Sequence, residues 1–428
     1  MPYQSPISPG YSWYEATVGE RPDYPPLDGD LAVDVAIVGG GFTGLSAAAH
    51  LARAGVDVAL LEAHRFGDGA SGRNGGQLGT GQRAWAEELE AELGFDRAKA
   101  LFDLAEEAKA HLLDFAAANR IEIDYMPGQL SVAHKRRYVD EYRAHAEIMA
   151  ERFGYPHIAF MDRQETAERL GSTRYFGGTR DTGTGHIHPL KLVVGTARVA
   201  AAAGARLFEQ TKAQRISTAA GKVRIATPRG TITAERCLLA TNAYGETLEP
   251  VTAAHLMPIG SFIGATVPLG KDSPVLPGGE SVDDSRFVVR YFRRSRDGRL
   301  LFGGREAYSR NDPKDIRSQI RRQISEIYPA LGDVEITYAW GGYVGITVPR
   351  RPFVREVMPG VISAGGYSGH GVLLANFMGR LYAEAVTGNR DRLYLFKELK
   401  IPPFPGGQRL RPLLLFLALN WYALRDRI

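Results

Sequence analysis

Glycines 39, 41 and 44 carry the sharpest chemical signal in the sequence. They stand in Gly39-Gly-Gly-Phe42-Thr43-Gly44, between an apolar run at 35–38 and an Ala/Leu-rich run at 45–54. The first run reads as a buried parallel strand and the second as a helix. At G-x-G-x-x-G spacing, Gly39 allows a tight turn, Gly41 lets a pyrophosphate approach the backbone, and Gly44 lets helix and strand pack closely. Free N–H groups and the positive dipole end at the helix start, around Phe42 and Thr43, suit a diphosphate. A second strand, 56–61, ends in Glu62 and Ala63. That is the distance at which a carboxylate grips a ribose hydroxyl. Strand, helix, strand and acid in register point to a dinucleotide site.

Two further glycine loops follow. Gly67 to Gln77 comes directly after the acid, where a nicotinamide domain would proceed to another helix and strand. Gly365-Gly-Tyr-Ser-Gly-His-Gly371 follows an apolar strand and opens a helix. In Gly39–Ser46, Gly69–Gln77 and Gly365–Gly371, and in Phe404-Pro-Gly-Gly407 followed by a short apolar helix, the chain resembles the D-amino-acid-oxidase-type flavoproteins. The resemblance covers nearly the whole length. Within that superfamily it is greatest to the branch of γ-glutamylputrescine oxidase and its amine-oxidising relatives.

The resemblance implies FAD, lined by Ser71, Gly72, Arg73, Asn74, Gly75, Gly76 and Gln77. It implies that Thr211-x-Ala213-x-x-Ile216, where the family has Val at the position of Ala213, brings a backbone group to the adenine. It places Thr241 and Asn242 near the FAD. Gly366, Ser368, Gly369, His370, Gly371 and Val372 would face the flavin pyrimidine, where a helix N-terminus stabilises negative charge on reduction. Candidates for the reacting centre are Arg73, Tyr291, Arg305, Trp340 and His370. Tyr291 and Arg305 correspond to cavity-lining strands. Trp340-Gly-Gly-Tyr343 resembles a Trp-x-Gly stretch near the flavin. For His370 two roles stay open: acting directly, or packing in a loop whose backbone carries the function. Among the arginines at 290, 293, 294 and 305, charges that deter edge-to-edge strand pairing explain most.

No triad, metal cluster or paired catalytic carboxylates stand out. A neutral amine beside a flavin gives up its α-hydride without a strong protein base, which fits that absence. The expected reaction is oxidation of a primary or secondary amine to an imine and then an aldehyde, with O2 reduced to H2O2. By resemblance the substrate is γ-glutamylputrescine, with an arginine such as Arg305 on its carboxylate. The alternatives are an oxidase for another amine or an amino acid, a dehydrogenase passing electrons to a quinone, and a flavin-bearing subunit without turnover of its own.

These residues need a scaffold. The expected class is α/β (α+β overall): a Rossmann-like FAD domain from 34–84, 189–250 and 353–398, with an interleaved antiparallel-sheet substrate domain from 85–188 and 251–352. An irregular arm (1–33) and a tail helix (399–428) flank them. The arm aromatics Tyr11, Trp13 and Tyr14 pin it to the body or cover the site mouth; pinning is the blander role. Helices are expected over 85–118, with a break at Gly94, and over 134–153. Short strands at 121–125 and 129–133 would meet at a Met126-Pro-Gly128 turn. Asp297-Gly298 signals a hairpin. His186 and His188 lack partners for a metal site, and His188 reads as structural.

The 428 residues allow two sizeable cores, and 44% hydrophobic with 23% charged residues is ordinary globular composition. A net charge of +4, not concentrated in a block, does not imply nucleic-acid binding. The single Cys237 excludes an intrachain disulfide and reads as core packing rather than a flavin attachment. No secretory signal or membrane-spanning run is apparent, so the expected location is cytoplasmic. The basic-flanked tail docks on the body or lies on a membrane surface; docking is the preferred reading.

Overall fold

The computed structural model of the protein describes residues 3–245, 248–307 and 315–406, with side chains for all of these but 305–307. Two eight-stranded sheets organise the chain. In the first, Leu31–Val38 lies centrally, parallel to Val58–Leu61 on one side and Gly230–Leu239 on the other. Arg206–Phe208 and Val361–Gly365 extend it in parallel, and Phe353–Met358 closes one edge antiparallel. A hairpin, Arg215–Ala219 with Lys222–Thr227, joins Gly230–Leu239. Val38 pairs with both Leu61 and Leu239, and Ser363 pairs with Leu239. The strands therefore end together, and the loops after Val38, Leu61, Leu239 and Gly365 leave one edge. In open α/β sheets that edge is where ligands bind.

Helices Phe42–Arg53 and Gly371–Thr387 follow two of those strands and cross closely. A Cβ on Gly379 would lie 2.3 Å from Thr43 O and 2.6 Å from Ala47 N. Both helix N-termini are consequently held at the same edge.

The second sheet runs, in order, Ile336–Ile346, Met257–Pro268, Arg299–Ala307, Tyr291–Arg294, Ser281–Asp284, Met126–Val132, Gly178–His186 and Ile158–Met161. It is antiparallel except where Ser281–Asp284 pairs in parallel with Met126–Val132. The largest buried cluster takes residues from both sheets, for example Ile37 from the first and Ile263, Leu301 and Trp340 from the second.

The expected helices form as Ala86–Leu93 and Phe95–Ala118, separated at Gly94 (φ +81°), and as Val139–Glu151 after a 3-10 turn. Pro189–Ala202 begins on proline, with His188 as its N-cap. The Asp297-Gly298 hairpin joins Tyr291–Arg294 to Arg299–Ala307, with Gly298 at φ +83°.

Three readings need correction. The arm is not wholly irregular: Ser12 Oγ caps the short helix Trp13–Thr17 by accepting from Glu15 N at 3.0 Å, and Trp13 and Tyr14 are buried. Met126-Pro-Gly128 is no turn. One strand, Met126–Val132, runs through it, with a register break between Pro127 and Gln129 and Gly128 at φ +95°. Pairing with His186 and Gly185 outweighs the local turn preference there, and the break falls where proline has no N–H to give. Residues 121–125 form no strand. The tail helix lies outside the described residues from 407 onward. Before it, Leu399 and Ile401 sit in the core, and Phe404 N donates to Ala254 O. Cys237 is fully buried in the core. Among the described residues no helix is long and apolar enough to cross a membrane.

Candidate active site

The first glycine turn forms as its spacing requires. Gly39 has φ +111°, and a Cβ there would meet Ala240 O at 2.7 Å. A Cβ on Gly44 would lie 1.9 Å from Gly39 O, so helix and strand close only on a hydrogen atom. Gly41 caps Phe42–Arg53 without a side-chain bond. A Cβ on Gly41 would meet Ser71 Oγ at 2.7 Å, and that oxygen accepts from Phe42 N at 3.0 Å. Glu62 closes the turn: its carboxylate accepts from Gly40 N at 2.8 Å and from His64 N at 3.0 Å. Burial lifts this carboxyl to about 7, against the pull of those two N–H groups.

Loop-to-loop bonds assemble the rest. Thr43 Oγ1 and Tyr367 OH share a hydrogen bond of 2.8 Å, tying the first turn to the third loop. Asn242 Oδ1 accepts from Gly366 N at 2.9 Å. Ser368 Oγ donates to Gly366 O and accepts from Thr347 N. In the second loop Asn74 Oδ1 accepts from Gly76 N at 2.8 Å, and Gln77 Nε2 donates to Val282 O at 2.8 Å, reaching the second sheet.

These loops and the second sheet enclose a cavity of about 360 Å³. Of the expected cofactor residues, Gly41, Phe42 and Thr43 line it from the first turn. Ser71 and residues 73–77 line it from the second loop. Asn242, Ser368, Gly369, His370, Gly371 and Val372 line it as well. Gly39, Gly44, Glu62, Ala63, Gly72, Ala213, Thr241 and Gly366 do not line it.

The five reacting-centre candidates separate. Tyr291 lines the cavity, and its hydroxyl shares a hydrogen bond of 2.9 Å with Ser261 Oγ. His370 lines it too, with its ring against Gly79, where a Cβ would lie 2.2 Å from Cε1. Burial, together with the charges of Arg83 and Lys109, lowers this imidazole to about 4, so it is neutral at neutral pH.

Arg73 touches the cavity, but its guanidinium donates to Gly341 O, Pro9 O and Gly10 O at 2.6–2.8 Å. Its geometry is that of a clamp between arm, loop and sheet. Trp340 is fully buried, and its indole N–H donates to Arg73 O at 2.9 Å. It is a positioning residue outside the cavity, its large apolar ring taken by the core. Arg305 lies on Arg299–Ala307 opposite Phe262, and its side chain is outside the described residues.

Several polar residues at the cavity carry no motif. Asp181 accepts from Tyr155 OH at 2.8 Å and from Thr80 Oγ1 at 2.6 Å. Buried Lys109 donates to Glu106, Thr80 and Tyr155. Asp283 accepts from Gln129 Nε2 at 3.0 Å and Ser131 Oγ at 2.6 Å; burial holds its carboxyl above the ordinary range. The glycines at 79 and 81 continue the second loop and were a usable signal for its extent. Asp181 and Asp283 reach the cavity through strand pairing, which no local pattern announces.

Comparison with known proteins places this geometry among relatives. A family model described as DAO, FAD dependent oxidoreductase, matches residues 34–385. The chain is 65% identical over 427 residues to a probable oxidoreductase, OrdL, of Rhizobium meliloti (strain 1021), covering 100% of both. It is 35% identical over 420 residues to gamma-glutamylputrescine oxidoreductase of Escherichia coli (strain K12), covering 97% of this chain and 98% of that one. The crystal structure of glycine oxidase from Geobacillus kaustophilus superposes with a TM-score of 0.71 at 24% identity, over 83% of this chain and 95% of that one; it shares the fold.

Proposed function

The chain belongs to the DAO family of FAD-dependent oxidoreductases, and from that premise we propose that it oxidises an amine at a CH–NH or CH–NH2 carbon. The residues present fit FAD. Two helix N-termini open on one cavity, the Gly41 cap is bare of side chain, and the Glu62 carboxylate waits at the strand end with backbone partners. Gly39, Gly41, Gly44 and Glu62 would hold the nucleotide half, and the loops at 71–77 and 366–372 the ring half. When bound, FAD supplies the two-electron acceptor.

The chain's own residues bind and orient. The observation that carries the reading is the wall facing the loops. It offers Tyr291 and Ser261, bonded to each other, and the third loop opposite it offers a neutral His370. Such a wall suits release of hydride from a neutral amine. The net reaction is amine plus O2 plus water giving aldehyde, ammonia or amine, and H2O2.

The substrate we put forward is γ-glutamylputrescine, because a relative bearing that activity in its name aligns over nearly the full chain. Arg305 is the proposed contact for its carboxylate; an unchanged KM in Arg305→Ala would remove that role. The deciding experiment is anaerobic bleaching of the purified yellow protein by a panel of γ-glutamyl amines, polyamines and amino acids, followed by peroxide detection in air. Bleaching by γ-glutamylputrescine with stoichiometric peroxide is the expected result. Bleaching by amino acids alone defeats the substrate assignment, and rapid dye reduction without peroxide defeats the acceptor.

A further inference from the structure

The second sheet turns a transverse row of side chains toward the cavity. Ser131 pairs with Asp283, Asp283 with Tyr291, and Tyr291 with Gly303; Gly303 pairs with Ile263 beside a register break, and two residues before it on that strand Ser261 pairs with Gly342. Directly opposed residues on neighbouring strands point to one face of the sheet. A Cβ on Gly303 would lie 2.2 Å from the Tyr291 ring. The ring therefore lies across that strand, and its hydroxyl reaches Ser261. The row begins at Gly342, where a Cβ would stand 3.5 Å from the Arg73 side chain beside the second glycine loop. It reaches Asp283 four strands away, on the order of 19 Å at the usual strand spacing.

The far end of the row is built for a cation. Asp283 takes its hydrogen bonds from neutral groups, Gln129 Nε2 and Ser131 Oγ, and the charge of Arg83, which also lines the cavity, acts on it against the effect of burial. The other atom of that amide, Gln129 Oε1, is buried and has no hydrogen-bond partner among the described residues. A carboxylate and an unsatisfied carbonyl oxygen thus stand side by side at the cavity wall, and both are acceptors. Buried polar atoms are ordinarily paired, so an orphan here marks a missing donor. A chain of aromatic rings leads from this end. Tyr142 lies close enough to feel the charge of Asp283, Trp85 meets Tyr142 edge-on at 5.4 Å, and Trp85 stacks on His145 at 4.4 Å. All three line the cavity.

We infer that Asp283 and Gln129 Oε1 receive a primary ammonium carried by the substrate at a distance from the carbon that is oxidised. This rests on the amine-oxidation reading above and narrows its substrate class to amines with a second, remote cationic end. An ammonium offers three donors and no acceptor, matching the pair, and aromatic faces favour its charge. Two sources share this chemistry: a free di- or polyamine, and the α-ammonium of a γ-glutamyl head. A substrate without the remote ammonium leaves Gln129 Oε1 without a donor, which disfavours it.

The test compares holoenzyme with Asp283→Asn and Gln129→Met. Amines with a remote ammonium (1,4-diaminobutane, γ-glutamylputrescine) are set against butylamine and the α-N-acetyl form of γ-glutamylputrescine. Asp283→Asn is expected to lower kcat/KM about 30-fold or more for remote-ammonium amines, through KM. Butylamine should change less than about threefold, and Gln129→Met should act in the same direction by about three- to tenfold. If the γ-glutamyl head is the source, acetylating it abolishes the Asp283→Asn effect; if a free diamine is, the effect is largest with 1,4-diaminobutane.

A second readout needs no turnover. Calorimetry with tert-alkylamines, which have no α-hydrogen to lose, with and without a remote ammonium, gives a Kd ratio that should collapse toward one in Asp283→Asn. An unchanged ratio overturns the inference. Should Asp283→Asn not yield folded holoenzyme, the ratio in Gln129→Met decides instead. If no amine bleaches the wild type, the oxidation reading fails while the Kd ratio still judges this site. If amines bleach it and the ratio survives substitution, this site alone fails.

Discussion

The wall of the cavity built by the glycine loops is mostly backbone; the wall built by the second sheet is mostly side chains from several strands. On the loop wall, backbone and two helix starts line the cavity, and in the supporting bonds backbone N–H groups donate to side chains: Gly40 to Glu62, Gly366 to Asn242, Gly76 to Asn74. On the sheet wall Gln129 and Ser131 donate to Asp283, and Tyr291 bonds to Ser261. A backbone cradle suits a ligand that every member of a family binds, since it constrains few side chains. A side-chain wall is where a substrate is chosen. Variation in the loop wall should therefore change affinity for cofactor, and variation in the sheet wall should change substrate.

The largest effect on the loop wall is expected at Gly44. A side chain there collides with Gly39 O, so Gly44→Val should lose FAD affinity by about 100-fold or more, ~3 kcal/mol. Protein purified with a full flavin-to-protein ratio would refute the account of the loop wall.

Next is Glu62→Gln, expected to weaken FAD binding by about 10- to 100-fold. It also has a pH signature in the protein freed of FAD. The folded carboxyl sits at about 7, above its ordinary 4.5. Between those values the native state keeps a proton that the unfolded chain has released. The stability from this group is therefore full below about 4.5 and lost as pH rises toward about 7. The difference in unfolding free energy between wild type and Glu62→Gln should drift by ~3 kcal/mol over that window. A difference independent of pH would show the carboxyl to be unperturbed.

Smallest is Tyr291→Phe. Losing the bond to Ser261 should cost about three- to tenfold in kcat/KM, ~1 kcal/mol, with flavin content untouched. Loss of flavin instead would erase the division between the two walls.

Much of the loop wall was legible because its signals are local. Gly39, Gly41 and Gly44 act within one turn, and Gly366 (φ +69°) and Gly369 (φ +90°) within another. The helices beginning at Phe42, Pro189 and Gly371, and the Asp297-Gly298 hairpin, came from equally short-range chemistry. Local signals misled where pairing overrode them, as at Met126-Pro-Gly128, and where a cap as modest as Ser12 organised the supposedly irregular arm. Arg73 and Trp340 were expected at the reacting centre. Both lie beside the second loop, but one spends its donors on carbonyls and the other is sealed into the core.

From residue order alone follow the dinucleotide turn, its acid and the three glycine loops, since each is encoded within a span of some thirty residues or fewer. Folding had to supply the meeting of Asp283 with Gln129, Ser131 and Tyr291, the bond from Thr43 to Tyr367, and the burial that shifts Glu62 and His370. Those depend on strand register and on exclusion of water, and neither is a property of any one stretch of chain.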